Sequence, residues 1–426
     1  MEPLFAPLDR VYLNAAGRSP LPLPSLAAGL AAAQRKAHSP WDIGDTSADL
    51  DTVRALFASL VGASAEDICL TPSCSYAMSL AAHNLRHRIS AQRRGVLVLA
   101  DQMSSNVMPW QALCTSAGGE LVIVPRPPDH DWTAAVLARL DGVAICALPP
   151  CHWCDGALVD LEAIGAECRK RGVALVVDGT QFVGGGGHLD VRRIGAEFVA
   201  CSIHKWLLGP YGACLCYAAP SFWRDATPLE HHDRNREGAQ HVECLPMAAG
   251  GGGYPTAFMA GARRLDSGGR PSYLVLPQLR VSLELLTTTL HLPKIIGTLR
   301  LRTDAIAARA AALGFDVPPH RSASIIGLRP SAAMPDAAAL VASLARRSPP
   351  VVVSERFGAI RVSPHVYNTA ADVDHLIDGL RDAIAAAGHA PPAAAAAPPS
   401  DDFAFTPPEI SSEEQMRRLA EMRSRL

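Results

Sequence analysis

The stretch Val173–Tyr217, VALVVDGTQFVGGGGHLDVRRIGAEFVACSIHKWLLGPYGACLCY, decides how this chain is organised. It begins with an apolar run that ends at Asp178, and a second apolar run, 198–201, ends shortly before Lys205. Near-continuous apolar runs separated by helical patterns predict parallel strands that are covered on both faces. Because ligands bind at the carboxyl ends of such strands, we expect Asp178 and Lys205 to face one crevice.

The same alternation extends over residues 53–217. The other apolar runs predicted to be strands are Val96–Ala100, Leu121–Val124, Val143–Leu148 and Ala213–Tyr217. The clearest helix between them is Leu158–Arg171, whose apolar residues share one face and which Gly172 ends. The pattern therefore predicts an α/β fold with a large, doubly wound, mostly parallel sheet.

The pattern changes from residue 277, where a long helical stretch, short strands and a final helix predict a smaller α+β domain. We divide the chain into an N-terminal segment 1–20, a large domain 21–276 and a small C-terminal domain 277–388. An Ala/Pro-rich linker, 389–410, and a C-terminal helix, 411–426, are expected to follow.

The composition excludes several classes of protein. With 49% hydrophobic and 19% charged residues, the 426-residue chain is able to bury a large core and is not globally disordered. A net charge of −2 implies no basic face, so no nucleic-acid partner is expected. No apolar run reaches the roughly 18 residues of a spanning helix, so no membrane segment is expected. We see no secretory signal and expect a cytoplasmic protein.

Lysine and cysteine usage adds two indications. Only four lysines accompany the many arginines, and they are Lys36, Lys170, Lys205 and Lys294. A lysine retained beside an apolar run therefore indicates amine chemistry, which arginine does not perform. The eleven cysteines are expected to be reduced, buried thiols, and the Cys151-x-x-Cys154 pair to be a packing feature, so no metal is expected.

An amine and a carboxylate at neighbouring strand ends are suited to binding a cofactor that carries an aldehyde and a pyridine ring. A lysine amine forms a Schiff base with an aldehyde, and a buried carboxylate holds a pyridine nitrogen protonated, which makes the ring an electron sink. The motif in question is Asp178-x-x-Gln181 followed by Ser202-x-His204-Lys205-x-x-x-Gly209-Pro210.

This motif resembles the class V aminotransferase family of pyridoxal phosphate (PLP) enzymes, which includes cysteine desulfurases, kynureninases and isopenicillin N epimerase. Segments 12–17, 261–268 and 361–368 are similar to further motifs of that family. The resemblance covers the chain up to about residue 388. It implies the aspartate-aminotransferase type of fold, PLP as cofactor and a homodimer.

The resemblance also implies residue roles. Lys205 is expected to carry PLP as an aldimine and to move the proton at the substrate Cα, and Asp178 to pair with the pyridine nitrogen. The other expected cofactor contacts are Gln181 at the ring O3′, Ser202 and His204 at the phosphate, Ser73, Cys74 and Ser75 at a helix N-terminus, and Met103 over the ring. The expected substrate contacts are Asn14, Trp153 and Arg361, of which Arg361 suits a carboxylate.

The sequence leaves the reaction type open. We expect aminotransferase-like or C–S lyase-like chemistry on a small amino acid, with an epimerase-type or racemase-type enzyme and a non-catalytic scaffold of the same fold as alternatives. Cysteine desulfurases that resemble this chain carry a nucleophilic cysteine on a loop shortly before the residue matching Arg361. Residues 341–360 contain no cysteine, so a conventional desulfurase is disfavoured.

Overall fold

The computed structural model describes residues 4–44, 46–238, 255–269 and 271–389. Its strands are β1 Val11–Tyr12, β2 Ile68–Thr71, β3 Gly95–Leu99, β4 Glu120–Val124, β5 Val143–Leu148, β6 Ala174–Asp178, β7 Phe198–Ser202, β8 Cys214–Ala218, β9 Ile326–Leu328, β10 Val351–Val352, β11 Ser354–Arg356 and β12 Ala359–Val362. Its helices are α1 Leu23–His38, α2 Ser47–Val61, α3 Cys74–Leu85, α4 Met108–Ala117, α5 Trp132–Leu137, α6 Leu161–Arg171, α7 Val191–Ile194, α8 Pro220–Trp223, α9 Val275–Glu284, α10 Leu292–Ala312, α11 Ala337–Ala345 and α12 Ala370–Ala386.

Seven strands form the large sheet in the order β2-β8-β7-β6-β5-β3-β4. Strand β8 pairs antiparallel with both of its neighbours, and the other pairings are parallel. Every residue of β3, β5, β6, β7 and β8 is buried, as expected of strands covered on both faces. The predicted α/β fold with a large, mostly parallel sheet is confirmed.

The small antiparallel sheet has the order β11-β12-β9 and shares an apolar core with residues of α10, α11 and α12. Strand β1 pairs with β10, so the N-terminal segment also belongs to this core. Helix α9 contributes to the core of the large sheet, although the sequence assigned most of it to the small domain. The domain limits stay a prediction, and the predicted linker and C-terminal helix lie outside the described residues except for His389.

Local capping sets two helix starts, and that of α6 differs from the predicted Leu158. Helix α6 begins at Leu161 because the Asp160 side chain accepts the N–H groups of Glu162 and Ala163, and Gly172 ends it in a left-handed conformation. Helix α3 begins at Cys74, where Ser73 is the N-cap. Among the described residues, no helix has the length and apolar character required to cross a bilayer.

Candidate active site

A cavity of about 200 Å³ lies where strands β5, β6 and β7 end and helix α3 begins. Ten predicted cofactor or substrate residues line it: Ser73, Cys74, Ser75, Met103, Trp153, Asp178, Gln181, Ser202, His204 and Lys205. Lining residues that sequence reasoning missed are Gln102, Ser105, Pro149, Cys151 and Thr180. Most of these residues stand within two positions of a predicted residue, so their proximity to a motif could have indicated that they line the cavity.

Lys205 and Asp178 are the two charged groups of opposite sign in this cavity. Burial lowers the pKa of the Lys205 ammonium, and the negative charge of Asp178 opposes that shift. The Asp178 carboxylate is buried, and its Oδ1 accepts the N–H of Thr180 at 3.1 Å. Among the described residues it forms no ion pair. The site thus holds an amine that loses its proton more readily than an ordinary lysine does and a carboxylate available to a further cation.

The turn after β6 fixes the ends of two strands. The Thr180 hydroxyl oxygen accepts the backbone N–H of Ser202, the last residue of β7, at 3.0 Å. The Gln181 amide donates to the Ala16 carbonyl at 3.0 Å and accepts the indole N–H of Trp206 at 2.9 Å. These bonds orient the Gln181 side chain and leave one of its two amide N–H groups for a ligand in the cavity.

The start of helix α3 faces the same cavity. The first N–H groups of a helix have no acceptor within it, and together with the helix dipole they favour an anion. The Ser73 hydroxyl accepts the N–H of Tyr76 at 3.2 Å and lies 3.1 Å from the Ser75 hydroxyl. The Cys74 thiol has a pKa raised well above its ordinary value by a hydrogen bond to Cys214 and by burial, so it stays protonated. This end of the cavity suits a phosphate group.

His204 follows the carboxyl end of β7 and is half-buried, stacked on Tyr211 with ring centroids 4.1 Å apart. Burial, followed by the charge of Lys205, lowers the pKa of His204 to about 4. The imidazole is therefore neutral near pH 7.

Met103 and Trp153 form an apolar wall of the cavity. The Trp153 indole donates to the Asp101 carbonyl at 2.6 Å. The adjacent His152 is buried, packs flat on Trp132 at 5.0 Å, and its Nε2 lies 3.0 Å from the Ala100 carbonyl oxygen. The loop that carries Trp153 is thus held to the end of β3. Met103 has no group that transfers a proton.

Arg361 and Asn14 meet behind Trp153 and do not themselves line the cavity. The buried Arg361 guanidinium donates to the Trp153 carbonyl at 3.2 Å and to Asn14 Oδ1 at 3.4 Å. It forms no ion pair among the described residues. Burial, followed by the charge of Arg356, lowers the pKa of Arg361 to about 10, so the side chain remains charged at neutral pH. A buried, unbalanced guanidinium favours an anionic ligand.

The segment before Arg361 is a tight hairpin. Strands β11 and β12 are joined by Phe357 and Gly358 alone, both with positive φ (48° and 78°), as a two-residue turn of type I′ requires. Phe357 is exposed and lies edge-on to Trp153 at 6.3 Å. No loop extends from this position, and residues 341–360 contain no cysteine.

A partly buried amine and a buried carboxylate at the carboxyl edge of such a sheet, beside an anion site, are typical of enzymes that use PLP. A sequence profile described as Aminotransferase class-V matches residues 13–258, more than half of the chain. The chain therefore belongs to the aminotransferase class-V family. The prediction of an aminotransferase-like or C–S lyase-like enzyme of this family is confirmed at that level.

Similar proteins include both chemistries. The uncharacterized aminotransferase YcbU of Bacillus subtilis (strain 168) is 25% identical over 342 residues, which cover 76% of this chain and 80% of that protein. A cysteine desulfurase of Klebsiella pneumoniae is 27% identical over 232 residues, covering 52% of this chain and 56% of that protein. The chain thus spans about half the length of the curated cysteine desulfurases that it matches.

Two solved structures share the fold. The cysteine desulfurase CsdA from Escherichia coli aligns with a TM-score of 0.74 at 20% identity, over 90% of this chain and 97% of that chain. The cystine C-S lyase C-DES, in complex with its reaction product cysteine persulfide, aligns with a TM-score of 0.75 at 19% identity, over 88% and 98%. At these identities the likeness concerns the fold alone.

Proposed function

We propose that the chain binds PLP in the cavity at Lys205 and acts on the Cα bonds of a small amino acid, as an aminotransferase or as a C–S lyase. One observation carries the proposal: the same cavity holds the Lys205 amine, the unpaired Asp178 carboxylate and the start of helix α3. Each matches one functional group of PLP, namely the aldehyde, the pyridine nitrogen and the phosphate.

The residues present fit PLP in charge as well as in position. Asp178 is a buried carboxylate that forms no ion pair among the described residues, and a protonated pyridine nitrogen would form one with it. The phosphate would lie against the N-terminus of α3, Ser75, Ser202 and His204. Gln181, fixed by Trp206, has an N–H group left for the ring hydroxyl.

PLP supplies, when bound, an aldehyde for the substrate amine and a ring that accepts the electrons of a broken Cα bond. Lys205 is the group that moves protons at Cα. Burial raises the pKa of the cavity thiol Cys151 to about 12, a hydrogen bond to Cys214 and burial raise that of Cys74, and His204 has a pKa of about 4. These three side chains are therefore neutral at pH 7 and poor acids or bases, whereas burial brings the Lys205 pKa towards the working range.

Arg361 would hold the α-carboxylate. Its guanidinium is already oriented by the Trp153 carbonyl and Asn14, so little side-chain entropy is lost on binding. Trp153 and Met103 would exclude water from the face of the ring that they cover.

The hairpin argues against a conventional cysteine desulfurase, because the Phe357–Gly358 turn offers neither a cysteine nor a loop to carry one. An epimerase-type enzyme would need a proton donor on each face of Cα. Met103 and Trp153 supply none, so we keep that alternative second. A non-catalytic scaffold would not need the Lys205–Asp178 pair in a cavity.

The test of the cofactor is the visible absorption of purified protein with added PLP. We expect a band that Lys205→Ala abolishes and that Lys170→Ala, at an exposed lysine, leaves unchanged. A wild-type protein that stays colourless with PLP would refute the proposed function and favour the scaffold.

The reaction type is tested by product analysis on a panel of amino acids. A transaminase forms keto acid only when an amino acceptor is added, whereas a C–S lyase releases a sulfur product without one. Light scattering of the same protein tests the predicted homodimer.

A further inference from the structure

The register of the β11–β12 hairpin places two arginines on one face of the small sheet. Arg361 stands directly opposite Ser354, and Arg356 is two positions beyond Ser354 on the same strand. Because strand side chains alternate between faces, Ser354, Arg356 and Arg361 point to the same side. Arg356 and Arg361 are thus diagonal cross-strand neighbours, a relation in which the two backbone positions are roughly 7–8 Å apart.

Both guanidinium groups lie against Trp153, which lines the cavity. The Cζ atoms of Arg356 and Arg361 are each 5.5 Å from the Trp153 ring centroid. The positive charges of both arginines lower the pKa of Lys205, after burial, so both are close enough to act on that amine. The hairpin therefore places two positive charges against Trp153, next to the cavity, although neither arginine lines it.

Neither charge is balanced within the described residues. Arg356 forms no ion pair there, and its one hydrogen bond is to its neighbour's carbonyl, Glu355 O, at 2.6 Å. The Glu355 carboxylate is engaged elsewhere, since its Oε1 accepts the N–H of Gly358 at 2.7 Å. A nearby like charge disfavours the charged form of a group, and Arg356 contributes, after burial, to the lowered pKa of Arg361. One α-carboxylate at Arg361 leaves Arg356 unsatisfied.

We propose that the substrate is an amino acid with a carboxylate side chain, and that Arg356 binds this second carboxylate while Arg361 binds the first. The inference rests on the proposed function and narrows its substrate class from small amino acids to acidic ones. Arg356 is then a specificity-determining residue. Its planar guanidinium is suited to bidentate recognition of a carboxylate, and Trp153 holds it in place.

The test compares acid and amide partners of equal shape on the PLP-loaded protein. The spectral change on titration gives apparent dissociation constants for aspartate against asparagine and for glutamate against glutamine. We expect at least one acid to bind 10-fold or more tightly than its amide, the effect of a hydrogen bond between charged groups. In Arg356→Gln this preference should fall below about 3-fold, with the amide constants unchanged, and Arg356→Lys should keep part of it.

Arg346→Gln is the matched control, because it removes the same charge from an exposed arginine at the end of α11 and should keep the wild-type preference. Equal affinity for acid and amide in the wild type would refute the inference. So would an Arg356→Gln protein that loses affinity for both equally, since Arg356 would then serve the α-carboxylate or the fold.

A cofactor-independent arm separates this inference from the proposed function. Calorimetry of succinate against its monoamide, succinamate, measures dicarboxylate recognition without an amine that reacts with PLP. If the protein stays colourless with PLP but prefers succinate through Arg356, the proposed function fails and the acidic-ligand site stands. If PLP binds but neither assay shows a preference that depends on Arg356, the proposed function stands and the inference of an acidic substrate fails.

Discussion

Replacing Thr180 by valine tests whether one buried hydrogen bond builds the site. The Thr180 hydroxyl accepts the Ser202 N–H at 3.0 Å, and both residues are more than 90% buried. Valine has nearly the same shape, so the change removes the acceptor without opening a cavity. It leaves a buried N–H without a partner and places a methyl group against it.

The magnitude follows from that geometry. A buried N–H without an acceptor costs about 1–3 kcal/mol, so the free energy of unfolding should fall by that amount. Asp178 and Ser202 lie at the two strand ends that this bond joins, so the strand ends should also be less well positioned for PLP. A loss of about 1.4 kcal/mol in PLP binding corresponds to a tenfold higher dissociation constant.

The assay is a pair of titrations on wild type, Thr180→Val and Thr180→Ser. Urea unfolding gives the stability, and absorbance gives the PLP dissociation constant. Thr180→Ser keeps the hydroxyl and should stay within about threefold of wild type in PLP affinity, equivalent to less than 1 kcal/mol. If the valine and serine variants have the same stability and the same PLP affinity, the Thr180–Ser202 bond does not organise the site.

Three further predictions follow from the same contacts. Asp178→Asn should lower the pKa of Lys205 further, because the negative charge that raises it is removed. The pH at which half of the protein captures PLP should therefore move to lower pH. An unchanged midpoint would show that the Asp178 charge does not act on Lys205. Burial lowers the pKa of His365 to about 3 from an ordinary 6.5, so the unfolded chain takes up a proton first and stability should fall as pH decreases from about 6.5 towards 3. His365→Phe should flatten this slope in unfolding experiments, by up to about 1.4 kcal/mol per pH unit. Gly327→Ala should destabilise the protein by about 1–3 kcal/mol, since the added Cβ would lie 2.4 Å from the Asp155 Cβ. A variant as stable as wild type in thermal unfolding would show that the segment around Asp155 moves aside at no cost in free energy.

The sequence by itself predicted the large sheet and the two residues at the centre of the candidate site. The apolar runs of β5, β6 and β7 are local, and Asp178 and Lys205 follow directly from where two of those runs end. Parallel strands bring their carboxyl ends to one edge regardless of the details of packing, so residues at these ends converge. Helix limits were less well predicted, because they depend on single caps such as Asp160.

Only the tertiary structure decided which distant residues lie in or next to the candidate site. Thr180 was missed because its value lies in a hydrogen bond to another strand, and Arg356 because its relation to Arg361 depends on the register of a two-residue hairpin turn. Shifting that register by one residue would send Arg356 to the opposite face. Strand β1 likewise joins the small domain by pairing with β10, a contact that no local pattern reveals. Periodicity determines which side of an element is buried, but the partners across long sequence separations are chosen by packing and register.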